Sequence, residues 1–213
     1  GHAALRPILN QSLSGALARQ PTRDEEYRQW VLTRLAEMAL RLGDRTRAEA
    51  HFRQAIATGI TDGFVLAAYA DLLLEAGRPA EVVPLLKAWV ASDVLLLRLA
   101  IAEDAVAAPD AARHAQALAE RFAAAALRGD TLHQQEEARF WLQLRHDPAR
   151  AVALAAENWQ RQREPRDALV LLEAALAAGQ PAAATPALDW LARTGYEDPR
   201  YRALGAALRK AKR

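Results

Sequence analysis

From Leu32 the apolar residues fall at Leu32, Leu35, Ala36 and Ala39, a spacing of three, four and seven that lines one face of a helix. Thirty-four residues further on the pattern returns as Leu66, Tyr69, Ala70 and Leu73. A second stripe, Ala48, Phe52, Ala55 and Ile56, returns at the same interval as Val82, Leu86, Trp89 and Val90. Gly43 and Gly77 lie between the two stripes of each copy, where glycine ends a helix at little steric cost. Each copy therefore reads as a helix A, a short turn and an antiparallel helix B. Helix A of the first copy also carries Val31, Leu35, Met38 and Leu42, a second apolar face. One hairpin cannot cover both faces, so stacking of neighbours is expected to supply the stability.

Later copies are worn but visible. "HDPARAVAL" from His146 and "GQPAAATPAL" from Gly179 echo "GRPAEVVPL" from Gly77. The interval between Gly77 and His146 is two periods plus one residue, so a further copy is expected between them. "AAPDAARHAQALAERF", Ala107 to Phe122, fills that place, with Pro109 and Asp110 opening its helix B. Pro79 and Pro84 are five apart, as are Pro181 and Pro186, at matching places in two copies. The second proline of each pair lies beyond a free first turn, so it is expected to kink helix B or delay its start. "DPRYRALGAALRKAKR" from Asp198 reads as a closing helix, with Leu204 and Leu208 on one side.

These spacings and residue types resemble the tetratricopeptide repeat family. Leu32, Leu35, Ala36, Gly43, Ala48, Phe52 and Ala55 match its pattern in order, with Leu32 at the usual tryptophan place and Ile60 at the closing proline place. The second copy keeps Leu66, Tyr69, Ala70 and Gly77, then departs with Val82, Leu86 and Trp89. The resemblance is carried by residues 29–96 and 131–198, and 97–130 are placed by interval. It implies an all-α, right-handed solenoid of about five hairpins. The expected organisation is a leading helical segment at 1–28, units at 29–62, 63–96, 97–130, 131–164 and 165–198, and a closing helix at 199–213. It also implies a groove, lined by the A helices, that holds a protein or peptide. The narrower likeness is to exported or lipid-anchored bacterial members of the family.

Composition agrees with helices. The 213 residues are 52% hydrophobic and 25% charged, dominated by alanine, leucine and arginine. Lys87, Lys210 and Lys212 are the only lysines, and the formal net charge is +2. That balance gives no reason to expect nucleic acid as a partner. The basic run Arg209, Lys210, Lys212, Arg213 reads first as a solvated helix end, where cations oppose the dipole. No cysteine is present, which excludes disulfides and thiolate chemistry. No apolar run approaches the roughly 20 residues needed to span a bilayer. The opening Gly-His reads as a tag scar, and Met38 is the only methionine. An upstream leader or anchor is therefore expected to have been trimmed, with an exported setting favoured over the cytoplasm and any membrane contact through that anchor alone.

Catalytic chemistry was sought and none is expected. His133 has Glu136 and Glu137 three and four places on, but a zinc helix of the H-E-x-x-H kind needs a second histidine. His114 stands alone, His51 neighbours Phe52, and His146 takes a turn place held elsewhere by glycine. Ser12, Ser14 and Ser92 lie in no nucleophile elbow, and no glycine-rich phosphate loop appears. No cofactor or metal is implied, and an enzyme is the least favoured class. The A-helix residues outside the packing stripes form the candidate site: Trp30, Arg34, Glu37 and Arg41; Phe64, Asp71 and Glu75; His133, Glu137 and Phe140. Trp30 and Phe140 are the expected anchors, with burial between helices as the alternative for each. Self-association into a homo-oligomer, as an envelope assembly module, is the second reading, and a nucleic-acid or regulatory module the third.

Overall fold

The computed structural model describes residues 25–60 and 62–211. The leading segment therefore lies, up to residue 24, outside the described residues, as do the last two residues of the basic tail. Among the described residues every regular element is helical and no strand occurs. The α-helices are α1 (Glu25–Arg41), α2 (Arg45–Ile56), α3 (Gly63–Glu75), α4 (Pro79–Leu86), α5 (Asp93–Ala105) and α6 (Ala111–Leu127). They continue as α7 (Gln134–Gln143), α8 (Pro148–Arg161), α9 (Pro165–Ala177), α10 (Thr185–Thr194) and α11 (Pro199–Ala211), with a single 3-10 turn at Pro181–Ala184.

The chain divides into two compact units. One runs to Arg78 and takes in Glu197–Pro199; the other comprises Pro79–Tyr196 and Arg200–Arg213. In the first, α1 packs on α2 and α2 on α3. Leu32, Leu35, Ala36 and Ala39 are buried, as are Ala48, Phe52 and Ala55 opposite them. Phe52 then meets Tyr69 of α3 at 6.0 Å between ring centroids. Gln29, buried on α1, closes the far end of α2: its amide donates to the Ile60 carbonyl at 2.8 Å. In the second unit α5 packs on α4 and α6, α7 on α8, and α8 on α9. The odd-numbered helices also meet one another, α5 with α7 and α7 with α9. Trp159, Leu171, Leu172, Ala187, Tyr201 and Leu208 belong to the core that α8–α11 share.

The expected turns share one backbone solution. Gly43, Gly77 and Gly179 have φ of 78°, 70° and 64°, and Ala107 and His146 both have φ of 51°. The amide after the left-handed residue donates back five places: Asp44 to Ala39, Arg78 to Leu73, Ala108 to Glu103 and Gln180 to Ala175, at 2.8–2.9 Å. This is the Schellman closure, which satisfies a carbonyl the helix end would leave open. At His146 the turn is one residue longer, and Asp147 donates to Trp141 at 2.9 Å. Asp44 and Asp147 then cap α2 and α8, accepting from Arg47 and Arg150 backbone amides at 3.1 and 3.0 Å.

The two proline pairs behave differently. Pro181 opens the 3-10 turn, and α10 begins only at Thr185 with Pro186 in its first turn, which is the delayed start expected. Pro79 instead opens α4 directly, and the helix runs through Pro84 and stops at Leu86. The amide missing at Pro84 would have met Ala80 upstream, and Lys87 still donates to Val83 at 3.0 Å. The expected stripe through Trp89 and Val90 is cut short where Trp89 donates to Leu86 in a turn. Val90 falls in the following turn and is 37% exposed.

The turns give a test. Ala107 holds a left-handed conformation that costs an L-residue roughly 1–2 kcal/mol. Ala107→Gly should therefore raise stability by about 0.5–1 kcal/mol once glycine's greater unfolded-state freedom is subtracted. Gly77→Ala should lower it by about 1 kcal/mol, because a Cβ there would meet nothing within 4 Å and only backbone strain changes. Urea midpoints of the two variants check both signs.

Candidate functional site

Trp30, Arg34, Glu37 and Arg41 follow one another along α1 at intervals of four, three and four, so they share a face. Trp30 is 51% exposed and stacks on Tyr27 at 5.9 Å between ring centroids. Arg34 pairs with Glu37 at 2.8 Å, and its guanidinium lies over the Phe64 ring at 5.4 Å. Phe64 sits in the first turn of α3, where Asp62 caps the helix by accepting from the Phe64 amide at 2.7 Å, and remains 41% exposed. Arg34 of α1 thus meets Phe64 of α3. A cation on an exposed ring contributes about 0.5–1 kcal/mol, enough to orient both side chains. Arg41 and Asp71 are half-buried. Glu75 is held by Arg45 at 3.2 Å, so its carboxylate serves the packing of α2 and α3.

The three candidates in the second unit separate. His133 is exposed and stands just before α7. Its Nδ1 is 3.9 Å from Glu136, while Glu137 turns away to accept from the Trp141 indole at 3.1 Å and to meet Arg150 at 3.6 Å. Phe140 is a correction: its side chain is fully buried, 5.5 Å from Phe122 and 5.4 Å from Trp141. The ring faces α6 because α7 is pressed between its neighbours, and a residue there cannot anchor a partner. Trp141 is the aromatic of this helix that stays partly accessible, with the Arg150 guanidinium 3.6 Å above its ring.

Sequence reading missed the buried polar contacts. His114 does not stand alone. Its Nδ1 is 2.6 Å from Glu103, and both side chains are buried where α5 ends and α6 begins. The pair ties the two helices across the turn at Ala107. Asn158 donates to Asp167 at 3.0 Å, and Asp167 also accepts from the Glu164 amide, joining α8 to the start of α9. In the first unit Glu49 of α2 gathers Arg78, which donates to both carboxylate oxygens at 2.8 and 2.9 Å, with Arg53 at 2.8 Å and the Tyr69 hydroxyl at 3.4 Å. The Arg78 hydrogen bonds hold the Glu49 carboxyl below its ordinary range. Burial pushes the half-buried His51 imidazole down, and Arg47 adds to the shift.

An open depression of about 270 Å³ adjoins α6, lined by Phe122, Arg128, His133 and the Asp93–Arg121 pair. Arg121 is held by Asp93 at 2.7 Å and the Val90 carbonyl at 3.1 Å. Among the described residues no three His, Asp or Glu side chains gather as a metal site. No helix among them is long and apolar enough to cross a membrane. No family model, curated protein or solved structure matches this chain.

Two expectations follow from the polar contacts. Removing either member of the Glu103–His114 pair strands the other in the core, so Glu103→Leu or His114→Leu alone should cost about 3 kcal/mol. The double variant should recover most of it, and a double-mutant cycle measures the difference. For Glu49 the folded carboxyl lies below the ordinary value of 4.5. Its contribution is therefore complete above that value and lost as pH falls through the lowered one. Glu49→Gln should flatten this acid limb in stability measured between about pH 5 and pH 2.

Proposed function

We propose that this chain is a tetratricopeptide-like scaffold, a right-handed helical solenoid that holds a protein or peptide partner. Three features support the architecture: the stripes repeating at 34 residues, the recurrent Schellman turn, and the contacts of α5 with α7 and α7 with α9. Serial contact between every second helix is how stacked hairpins cover faces that one hairpin leaves open.

The observation that carries the binding role is the exposure of Trp30 and Phe64 on neighbouring helices, with Arg34 between them. Large aromatics left half in water are the residues that most often anchor a partner, since each still has substantial apolar area to bury. The charges around them are of both signs, with Arg34 on Glu37 and Arg45 on Glu75. A mixed rim suits a peptide or helix that brings an apolar side chain and its own hydrogen-bonding groups. It does not suit a polyanion.

The test is selection of binders from a displayed library of random peptides against the whole chain. Enriched peptides should bind with affinities that fall about 30-fold in Trp30→Ala or Phe64→Ala, roughly 2 kcal/mol, while melting temperature stays within a degree or two. Phe140→Ala should do the reverse, lowering the melting temperature by removal of a fully buried ring. Peptides that bind Trp30→Ala and Phe64→Ala as tightly as the parent chain would overturn the assignment.

A further inference from the structure

Many arginines in the described residues pair with a carboxylate on their own or an adjacent helix. Arg34 pairs with Glu37, Arg53 with Glu49, Arg121 with Asp93, Arg150 with Glu137 and Arg161 with Glu157, at 2.7–3.6 Å. Helix α11 has a different balance of charge. Its sequence, PRYRALGAALRKA, holds four cations and no acidic residue. Tyr201, Gly205 and Leu208 are buried, with Leu204 partly so, which fixes the orientation of the helix and leaves Arg202, Ala203, Ala206, Arg209 and Lys210 exposed. Arg202, Arg209 and Lys210 make no ion pair or hydrogen bond with the described residues, and Asp189, exposed on α10, pairs with none of them.

The helix dipole accounts for only part of this. Arg209 and Lys210 lie in the last turn, where cations are favoured, but Arg202 lies near the amino end, where they are not. A cation kept there without a partner needs another reason. Arg202 and Arg209 are seven residues apart, so their Cα atoms stand about 10.5 Å apart on nearly the same line, with Lys210 beside them. Only Ala203 and Ala206 stand between, so an approaching chain meets methyl groups and can come close. We infer that this face of α11 docks an acidic helical segment of a partner protein whose carboxylates repeat at the same two-turn interval.

The chemistry favours that partner over other anions. A bilayer surface holds a basic helix by an apolar face sunk among the acyl chains, and the apolar face of α11 is already used against Leu188 and the core. A nucleic-acid duplex would meet three cations with no exposed aromatic on the helix, in a chain whose 26 acidic residues nearly balance its 28 lysines and arginines. Acidic helices, by contrast, match both the spacing and the small residues of this face. The inference does not rest on Trp30 or Phe64.

The probe is a synthetic alanine-based helical peptide with glutamates at every seventh position and the position after it. It is titrated into the full chain at low salt alongside a duplex oligonucleotide of equal charge and phosphatidylglycerol vesicles. The peptide should bind, should weaken as salt rises, and should lose at least about tenfold in affinity to the triple variant Arg202→Ala, Arg209→Ala, Lys210→Ala. Melting temperature should not change, because these side chains hold nothing within the fold. Trp30→Ala should bind the probe as the parent does, which keeps this test apart from that of the first surface. No binding of the peptide, equal binding by the triple variant, or tighter binding to the duplex or the vesicles would each overturn the inference.

Discussion

A helix that is apolar on several sides must be covered on several sides, and here that constraint falls on alternate helices. Along α3 the chain buries Val65, Leu66, Ala67, Tyr69, Ala70, Leu72 and Leu73; along α5 it buries Leu95, Leu96, Leu97, Leu99, Ala100 and Ala102. The helices between them bury single stripes, Ala48, Phe52 and Ala55 on α2 and His114, Leu118 and Phe122 on α6. Fully burying a leucine or valine contributes about 1.5–3 kcal/mol. Helices α3 and α5 therefore hold a large share of the hydrophobic stabilisation. Outside those stripes α2 and α6 are exposed or half-buried. Helix α5 also buries Arg98 and Glu103, which are met by the Val94 carbonyl and by His114.

Periodicity made much of this legible. The stripes on α1 and α3 and those on α2 are buried where the spacing placed them, because a helical face is a geometric consequence of residue spacing. The turns were legible as positions more than as residues. Glycine marks three of them, yet Ala107 and His146 adopt the same left-handed backbone. The closure is demanded by the helices on either side, and a residue that dislikes it is carried along. What periodicity could not supply was helix length. Pro84 allows α4 to continue for two more residues, and the missing amide is visible in sequence, but whether a proline kinks, delays or truncates depends on what the next turn packs against.

The candidate site was legible only in part, for a related reason. Trp30 and Phe140 look alike in sequence, each an aromatic beside charged residues on the outer stripe of an A helix. Phe140 is buried because Phe122, eighteen residues earlier, comes to meet it; Trp30 meets Tyr27, one turn away on its own helix, and keeps half its surface in water. Burial is decided by partners that spacing within one helix does not name. The same holds for Glu103 and His114, eleven residues apart and on opposite sides of a turn. Neither belongs to a motif, and their meeting follows from how α5 and α6 cross.

The charges then constrain what recognition can rest on. Where an arginine is locked to a glutamate a few ångströms away, the pair presents little net field, and approach from solution is not strongly steered. In the first unit Arg34, Arg45, Arg53 and Arg78 are all so engaged. Affinity at that surface must come from apolar area, which leaves the two exposed rings as the groups with something to gain on contact. On α11 the balance is inverted: the apolar side is consumed by packing, and Arg202, Arg209 and Lys210 stay exposed. In the two proposals the physics is opposite: the Trp30 and Phe64 rings would bind through aromatic burial, and the α11 face through charge. The first should be nearly indifferent to salt and the second sensitive to it, because only in the second are the interacting groups unpaired before the partner arrives.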